Sequence, residues 1–473
     1  MLSHWIDGKP SPSLGPEAMT ILNPATEEPL GDVPRGHADD VERAVASARS
    51  AFPAWTALSP TQRKVLLRAI AIKLTEKRDA FAEMLTAENG KPLSEAKGEV
   101  QACIDVAYAF AELAVHMRGG IQGAPFGELN FQHREARGVV GCIVPWNYPL
   151  ATAFGNVLPS LAAGNTVVWK PSEKTPLTSR RIVESAFGDL PAGVVNMVLG
   201  DGQVGEALVR HPEVDVIAFI GSEPVGRKIG ETCGRMLKKA ILELGGKDPM
   251  IVDETVDIGR AAKFAASAAF VNAGQICTST ERIYVQRSVY DAFSDALAKE
   301  AKALVVGDGR DAATQMGPLI DLGQLEKVAS QVSEAVTKGA HLHCGGVRLN
   351  RPGFFFPPTV LGQVGDDIRL MRDETFGPIA PLFPFADFDE AIALANDSTF
   401  GLAAIVLTES APRAIKALQS LKVGTVKINT MRGRAPGAAS EPMKGSGFGH
   451  GSGMEILHEL TRQKAVHWRG SLS

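Results

Sequence analysis

Residues 138–149 read GVVGCIVPWNYP, and no charged residue occurs between Gly138 and Trp169. The runs Val139–Val144 and Thr166–Trp169 are short, apolar and rich in β-branched residues, which is typical of buried strands. The prolines and asparagines that separate them argue against a membrane-spanning helix. Similar runs, separated by helical patterns, occur at Val194–Leu199, Val216–Ile220 and Lys239–Leu244. The sequence therefore predicts an α/β fold with an open parallel sheet.

The rest of the chain divides into a helical beginning and a second α/β unit. Apolar residues recur at helical spacing from Asp39 to Phe52 and from Thr61 to Asn89. Further strands are predicted at Pro249–Val252, Arg282–Val285, Ala380–Phe385, Ala403–Leu407 and Thr425–Asn429, and further helices at Ser288–Ala303 and Leu325–Lys338. A loop rich in small residues then precedes a last predicted strand at residues 464–468.

Composition limits the classes of protein to which the chain can belong. With 473 residues it is too long for one hydrophobic core, so about two or three domains are expected. A hydrophobic fraction of 45% and a charged fraction of 22% are typical of a soluble globular protein. The net charge of -4 predicts binding of neither nucleic acid nor anionic lipid. The 5 cysteines form no C-x-x-C pair and the first residues contain no leader, which predicts a cytoplasmic location.

Three polar side chains lie in separate apolar, glycine-flanked or proline-flanked segments. Cys277 lies in GQICTS (274–279), Glu243 in LELGGK (242–247) and Asn147 in PWNYP (145–149). A thiol, a carboxylate and a carboxamide suit the roles of nucleophile, base and oxyanion donor. Taken singly, they fit a core cysteine, a surface glutamate and a turn asparagine at least as well. Only the combination predicts a catalytic site.

Three strand-to-turn segments are candidates for binding a dinucleotide. Residues 200–205 read GDGQVG after a strand, which matches the dinucleotide fingerprint, although a glycine-rich turn without a ligand fits nearly as well. Residues 219–222 read FIGS before a helix start, where Ser222 suits a pyrophosphate or simply caps the helix. Lys170 and Glu173, at the carboxyl end of a strand, suit ribose hydroxyls or a solvated turn.

One cluster of possible metal ligands carries little weight. His341 and Cys344 lie in AHLHC (340–344), but no second group of ligands accompanies them. Alternation in a surface strand explains their spacing better. No metal site is therefore predicted.

Taken together, these motifs resemble those of the aldehyde dehydrogenase superfamily. The resemblance extends over nearly the whole chain, from the segment 23–26 (NPAT) to the C-terminal strand, and the motifs occur in family order. They are Pro145–Pro149, Lys170–Glu173, Phe219–Ser222, Glu243–Lys247, Gly274–Ser279, Glu374–Pro378 and Asn396–Leu402. An ordered set of this kind is far more specific than any single motif.

The resemblance implies an NAD(P)-dependent oxidation of an aldehyde to a carboxylate. Cys277 would form a thiohemiacetal, with Asn147 and the backbone N–H of Cys277 as the oxyanion hole. Hydride transfer would leave a thioester, and Glu243 would activate the water that hydrolyses it. Lys170 is carried over as a fourth member of the catalytic set. The alternatives are a CoA-acylating enzyme, which typically lacks a glutamate at position 243, and a non-catalytic protein of the same fold.

The resemblance also implies how the cofactor binds. Lys170 and Glu173 would contact the adenosine ribose, and Ser222 the pyrophosphate. Glu374 would contact the nicotinamide ribose, with Phe376 beside it. The family does not hold its cofactor on a G-x-G-x-x-G motif in the usual Rossmann manner, so the GDGQVG segment is expected at a flank of the adenine pocket. A 2′-phosphate would be repelled by Glu173, which favours NAD over NADP. The other contacts carried over by motif are Trp146, Ser172, Gly205, Phe219, Gly221, Val225 and Leu244.

The fold implied by the resemblance is two open α/β domains with a bridging β-hairpin. The Rossmann-like cofactor domain would comprise residues 1–118 and 139–245, and the catalytic domain residues 246–430. Residues 119–138 and 431–473 would form a bridging element in which the hairpin pairs with a neighbour's sheet and the C-terminal strand joins it. A homodimer or homotetramer follows by analogy, with a small aldehyde, rather than nucleic acid or membrane, as the partner.

Departures from the family pattern lie near the expected cofactor and the expected substrate. Ile220 replaces a usual threonine near the cofactor. Gly155 replaces the aromatic residue of many relatives, which indicates a wider pocket on the Asn147 side. The family motif before the last strand is shortened and altered at residues 441–449, so the identity of the substrate is not carried over. Arg432 and Arg434 would favour an anionic aldehyde if they turned into the substrate tunnel. Two solvated arginines are the alternative.

Overall fold

The computed structural model describes residues 2–365, 367–431 and 437–470. Two large sheets, each mainly parallel and flanked by helices, account for most of the chain. A three-stranded antiparallel sheet forms a separate hydrogen-bonded unit. The predicted fold class, two open α/β units with a bridging β element, is confirmed. The residue boundaries of the domains remain a prediction.

The first sheet has eight strands and a parallel centre. In spatial order they are Lys9–Ser11, His4–Ile6, Val195–Met197, Thr166–Lys170, Val139–Ile143, Val216–Ile220, Lys239–Glu243 and Gly447–Phe448. The central strands are buried on both faces, which explains their uncharged, β-branched sequences. On each side the parallel strands are bordered by an antiparallel neighbour, one from early and one from late in the chain.

The second sheet has seven strands, all parallel except the first in the order that follows. The strands are His341–Cys344, Thr359–Gly362, Ile379–Phe385, Thr280–Gln286, Asp248–Val252, Ala403–Leu407 and Thr425–Ile428. The strands predicted for both large sheets are therefore present, and their ends differ from the prediction by at most two residues.

A smaller sheet joins the implied hairpin to the end of the chain. Glu128–Ala136 pairs antiparallel with Ile121–Gln122 on one side and with Thr461–Arg469 on the other. Among the described strands, none pairs with the outer edge of Thr461–Arg469. Two further antiparallel pairs join Phe400–Gly401 to Met443–Lys444 and Ala18–Leu22 to Pro29–Pro34.

Helices cover the large sheets. Around the first sheet they are Ala38–Ala57, Pro60–Glu76, Arg78–Asn89, Leu93–Leu113, Pro149–Ala162, Pro176–Ile182, Gly202–Arg210, Glu223–Arg235 and Gly453–Glu459. Around the second they are Ile258–Phe270, Tyr290–Ala303, Leu322–Thr337, Arg369–Arg372, Phe388–Asn396 and Ala411–Ser420. Short 3₁₀ segments lie at Ala114–His116, Val271–Gly274 and Arg287–Val289, and a π-turn at Val183–Phe187. Within the described ranges, no helix has both the length and the hydropathy needed to cross a bilayer.

The first hundred residues differ from the prediction in two respects. Four short strands precede the first helix, in a part of the chain that was expected to be mainly helical. Their sequences mix exposed polar and buried apolar positions too briefly to show a strand pattern. The helical pattern from Thr61 to Asn89 belongs to two helices, because Lys77 leaves helical geometry at φ -115° and ψ 15°.

A buried guanidinium, that of Arg282, fastens the second sheet to the helix beside it. It donates to the carbonyl oxygens of Lys247 (2.8 Å), Ala395 (2.9 Å) and Leu394 (3.2 Å). Two of these acceptors lie in the last turn of Phe388–Asn396, where most backbone carbonyls lack helical partners. The carbonyl oxygen of Leu394 also accepts from a backbone N–H, so loss of the guanidinium would remove the donor of two buried oxygens, those of Lys247 and Ala395.

We expect Arg282→Met to lower the free energy of unfolding by about 3 kcal/mol or more, because the buried carbonyl oxygens of Lys247 and Ala395 lose their donor. The measurement is the midpoint of thermal unfolding. Arg310→Met is the control, because the Arg310 guanidinium is exposed and pairs with Asp308 at 2.6 Å. Equal midpoints for the two variants would contradict this account of Arg282.

Candidate active site

The carboxyl ends of the first sheet's parallel strands face a large cavity. Lys170 and Glu243 each end a strand, and Asn147 follows a strand that lies between those two. Loops of the second sheet, which carry Cys277 and Glu374, form the opposite wall. The cavity has a volume of about 1240 Å³, and sites of this kind occur at strand ends in open α/β sheets.

Every residue that the sequence predicts for catalysis or cofactor binding lines this one cavity. The catalytic set is Cys277, Glu243, Asn147 and Lys170. The cofactor set is Trp146, Lys170, Ser172, Glu173, Gly205, Phe219, Gly221, Ser222, Val225, Leu244, Glu374 and Phe376. The structure brings together residues from distant parts of the chain, and their individual roles remain predictions.

Cys277 follows a tight left-handed turn. Asn272, Ala273 and Gly274 have φ values of 50°, 54° and 70°, a region that residues other than glycine rarely adopt. A side chain at Gly274 would place its Cβ 2.1 Å from the carbonyl oxygen of Gly377. Tight packing on several sides maintains this strained backbone. The turn therefore fixes the direction in which the thiol enters the cavity.

The thiol and the candidate base are in contact. Cys277 Sγ donates to Glu243 Oε1 at 3.6 Å, and both side chains are half-buried. Both also line the same cavity, so water beside the sulfur is within reach of the carboxylate. A carboxylate in this position can take a proton from the thiol or from water.

The Asn147 side chain is buried beside the thiol turn. Its Nδ2 donates to the carbonyl oxygen of Gln275 at 2.9 Å, which uses one of its two amide hydrogens. The backbone carbonyl oxygen of Asn147 accepts from Lys91 Nζ at 2.8 Å and from Asn272 Nδ2 at 3.2 Å. The backbone and one amide hydrogen of Asn147 are therefore both held in place, as the donor of an oxyanion hole requires.

The other end of the cavity suits a phosphate and a ribose. Ser222 precedes the helix Glu223–Arg235, and the N–H groups at such a helix start bind anions. Lys170 Nζ lies 3.1 Å from Glu173 Oε2. Burial alone would raise the pKa of Glu173, but the neighbouring Lys170 ammonium and hydrogen bonds lower it below its usual value. Glu173 is therefore a charged acceptor, and Gly205 of the GDGQVG segment lines the flank of the same cavity.

Glu374 and Phe376 form part of the second wall. Glu374 Oε1 accepts from the N–H of Gly246 at 3.2 Å. Burial, followed by the nearby Glu281 carboxylate, raises the pKa of Glu374 to about 7. Phe376, with a φ of 57°, sets its ring edge-on to Trp146 with 5.4 Å between the ring centroids. This ring contact joins the two walls of the cavity.

A buried ion pair holds the cavity loops from behind. Lys247 Nζ lies 2.7 Å from Glu281 Oε2 and donates to Thr375 Oγ1 at 2.9 Å. Glu281 also accepts from the N–H groups of Thr375 and Phe376, both at 2.7 Å. The pair therefore connects the segments that follow the candidate base, the thiol and the candidate ribose contact.

The C-terminal part of the chain reaches the candidate base as well. Ser446 Oγ donates to the carbonyl oxygen of Gly245 at 2.8 Å, across a separation of 201 residues. The strand Gly447–Phe448 pairs with Leu242 and Glu243. Residues 447–448 thus extend the sheet that carries the base, in addition to any role of their neighbours in the bridging element.

Some residues that line the cavity could not be identified as site residues from the sequence. Gln324 and Lys327 lie on the helix Leu322–Thr337, and Gln324 Nε2 donates to the carbonyl oxygen of Phe376 at 2.7 Å. Lys427, on the last strand of the second sheet, also lines the cavity. The helix and the strand were predicted, but polar residues at such positions usually face solvent. Only the fold reveals that these side chains face a site.

The remaining candidates lie elsewhere or add little to the site. His341–Cys344 is an edge strand, and the described residues contain no group of three or more His, Cys, Asp or Glu able to hold a metal ion. Arg432 and Arg434 lie outside the described residues. Gly155 lines the cavity, and a Cβ added there would have no described atom within 4 Å.

The family model of the aldehyde dehydrogenase family matches residues 12–466, and the chain belongs to this family. The protein is therefore an oxidoreductase that acts on an aldehyde group. The predicted family and enzyme class are confirmed.

Individual relatives show the extent of the likeness. The chain is 39% identical over 430 residues to the succinate-semialdehyde dehydrogenase (NADP+) GabD of Escherichia coli strain K12, covering 90% of this chain and 88% of the relative. The crystal structure of a lactaldehyde dehydrogenase from Escherichia coli has a TM-score of 0.96 at 34% identity, covering 99% of each chain. The betaine aldehyde dehydrogenase of Staphylococcus aureus, in complex with NAD+, has a TM-score of 0.97 at 35% identity, covering 100% of this chain and 95% of that one.

A substitution at Gly246 tests how closely the loop that carries Cys277 is packed. A Cβ at Gly246 would lie 2.5 Å from the carbonyl oxygen of Cys277. We expect Gly246→Ala to displace the thiol and to lower the rate of aldehyde oxidation roughly 100-fold, because a shift of about 1 Å at a reacting atom costs that much. The measurements are the absorbance of the reduced cofactor and the rate of Cys277 alkylation by iodoacetamide.

Gly234→Ala is the matched control for this substitution. Gly234 lies in the helix Glu223–Arg235, and a Cβ there meets no described atom within 4 Å. Its rates of oxidation and alkylation should equal those of the parent protein. Unchanged rates in Gly246→Ala would show that the thiol loop accommodates the extra carbon without displacement.

Proposed function

We propose that the protein oxidises an aldehyde to its carboxylic acid, with NAD as the hydride acceptor, through a covalent adduct on Cys277. The observation that carries the proposal is the 3.6 Å contact between the Cys277 thiol and the Glu243 carboxylate, in a cavity whose wall also holds Asn147. Nucleophile, base and oxyanion donor are thus within one space.

The first half of the proposed reaction is the addition of sulfur to the aldehyde. The thiol of Cys277 loses its proton to solvent, and the thiolate adds to the carbonyl carbon to give a thiohemiacetal. The oxygen that gains negative charge is stabilised by the Asn147 amide and the backbone N–H of Cys277. A nicotinamide dinucleotide, when bound, would supply the acceptor for the hydride that leaves this carbon, and a thioester would remain on Cys277.

The second half is hydrolysis of the thioester. Glu243 takes a proton from water, the resulting hydroxide adds to the thioester carbonyl, and the thiolate leaves with release of the carboxylic acid. Glu243 then returns its proton to the thiolate, which restores both groups. A CoA-acylating reaction would use CoA in place of water and would have no need of a base beside the sulfur. The Cys277–Glu243 contact therefore favours hydrolysis, and the complete set of three side chains argues against a non-catalytic protein.

The side chains of the cavity fit a nicotinamide dinucleotide. The helix start at Ser222 suits the pyrophosphate, Lys170 and Glu173 suit the adenosine ribose, and Glu374 suits the nicotinamide ribose. Relatives differ in their cofactor, since GabD is named for NADP+ and the Staphylococcus aureus enzyme was crystallised with NAD+. The negative charge of Glu173 would repel a 2′-phosphate, which supports NAD for this chain.

The proposed partner is a small aldehyde, and the proposed assembly is a homodimer or homotetramer. The relatives are named for succinate semialdehyde, lactaldehyde and betaine aldehyde, which are anionic, neutral and cationic, so they favour no single charge. Among the described strands the outer edge of Thr461–Arg469 is available to a strand of another subunit, which supports assembly. All cysteines lie within the described residues and none forms a disulfide, which supports a reducing, cytoplasmic location.

Glu243→Gln tests the hydrolytic step. We expect one equivalent of reduced cofactor per active site in a rapid burst, followed by turnover reduced by roughly 100-fold or more, because the thioester forms but is not hydrolysed. Stopped-flow absorbance measures both phases. Cys277→Ala is the control and should give neither burst nor turnover. Full steady-state turnover in Glu243→Gln would exclude Glu243 as the base for hydrolysis.

Glu173→Gln tests the choice of cofactor. We expect the ratio of kcat/KM with NADP to kcat/KM with NAD to rise roughly 10-fold, because a negative charge beside the 2′-phosphate is removed. Glu112→Gln, which changes an exposed carboxylate outside the cavity, is the control and should leave this ratio unchanged. A parent protein that already prefers NADP would contradict the role given to Glu173.

A further inference from the structure

A charged side chain lies behind the Asn147 peptide, outside the cavity. The Lys91 ammonium is fully buried and lies 2.5 Å from Glu99 Oε2. It donates to the carbonyl oxygen of Asn147 at 2.8 Å and lies 3.7 Å from the ring centroid of Tyr148. An ammonium has three donors, and here two are used on a carboxylate and a carbonyl while the charge also faces an aromatic ring. Its position is therefore defined on three sides.

Glu99 extends this contact to the next element. Its second oxygen, Oε1, accepts from the N–H groups of Leu150 at 2.9 Å and Ala151 at 3.1 Å. Both lie in the first turn of the helix Pro149–Ala162, where N–H groups lack helical partners. Lys91 and Glu99 thus hold the backbone on both sides of Tyr148, and the oxyanion-donor segment has little freedom to shift.

The same carbonyl oxygen also connects to the thiol turn. Asn272 Nδ2 donates to the carbonyl of Asn147 at 3.2 Å, and the Asn272 N–H donates to Glu95 Oε2 at 3.0 Å. Glu95 and Glu99 belong to one helix, Leu93–Leu113. Two carboxylates one turn apart on that helix therefore hold the two segments that supply the proposed oxyanion donors, with the Asn147 carbonyl between them.

We propose that Lys91 is a positioning residue, which keeps the Asn147 carboxamide and the backbone N–H of Cys277 aligned on the same oxygen atom. This inference rests on the proposed function, because it assigns Lys91 a role in the oxyanion hole of that reaction. Lys91 does not line the cavity, so it acts through the Asn147 peptide and does not contact the substrate.

Burying a charged group costs free energy, which supports a role for Lys91 beyond packing. Placing an ammonium and a carboxylate in the interior carries a desolvation penalty, and replacing such a pair by neutral groups is often neutral or stabilising. A methionine would occupy a similar volume without that penalty. However, a methionine side chain cannot donate a hydrogen bond to the Asn147 carbonyl.

The decisive variant is Lys91→Met combined with Glu99→Gln. The glutamine keeps an acceptor for the N–H groups of Leu150 and Ala151, and no unpaired charge is left in the interior. We expect the thermal midpoint to stay close to that of the parent, while kcat for aldehyde oxidation falls roughly 10- to 100-fold. The KM for the aldehyde, the Kd for NAD and the rate of Cys277 alkylation should change less than about twofold, because donors to a developing oxyanion act on the transition state.

Lys97→Met is the matched control, because Lys97 lies on the same helix as Glu99 but has a side chain that is 40% exposed and pairs with Asp79 at 3.4 Å. It should leave kcat unchanged. A double variant with parental kcat would overturn the proposal and leave Lys91 a packing role. The proposal would also fail if kcat fell in parallel with NAD affinity and alkylation rate, since the whole site would then be disturbed.

If the double variant does not fold, the single variant Glu99→Gln tests the proposed role of Lys91. It keeps the acceptor for the helix start but removes the carboxylate that holds the ammonium, so we expect kcat to fall at least about threefold with an unchanged Kd for NAD. Unchanged kcat would overturn the proposal. Failure of the proposed function is distinguishable from both outcomes, because the parent protein would then form no reduced cofactor with any aldehyde.

Discussion

The ion pair between Lys247 and Glu281 is the constraint on which the cavity depends. Glu281 uses its oxygens on the ammonium and on the N–H groups of Thr375 and Phe376, so the loops that follow the base, the thiol and the ribose contact meet at one carboxylate. Burial lowers the pKa of Lys247, and the Glu281 carboxylate opposes that change. Removing either partner would leave an uncompensated charge in the interior, which is far more costly than losing a surface pair. The position of the Cys277 thiol thus depends on an ion pair that lies behind the lining of the cavity.

The Lys91–Glu99 pair repeats this arrangement on the opposite wall. In each case a lysine and a glutamate from different segments are buried together. The glutamate also accepts hydrogen bonds from two consecutive backbone N–H groups. Between these fixed points the chain passes through glycines that allow close approach, such as Gly246 and Gly274. The site is therefore rigid where polar groups are buried and compact where side chains are absent.

The sequence reveals most of the fold and the lining of the cavity, for identifiable reasons. Parallel strands such as Val139–Ile143 are buried on both faces, so they appear as uncharged runs, and the predicted site residues occur at the strand ends or in glycine-rich loops. The two buried ion pairs are not predictable in this way, because Lys91 and Glu281 are charged and look like surface residues in sequence. Their burial depends on partners in other segments, and the pattern of one segment contains no information about another. The short strands before the first helix were not predicted for a related reason, because they are too brief to show an alternation of apolar and polar residues.

The edge strand Gly447–Phe448 has a consequence for the order in which the protein is made. The strand that ends in Glu243 leaves the ribosome about midway through synthesis, whereas Ser446, which contacts Gly245, comes 201 residues later and is followed by the strand that pairs with the sheet edge. Until then this strand presents an open edge, the kind of surface that pairs with other chains. The base acquires its final surroundings only when the C-terminal segment has folded back onto the sheet.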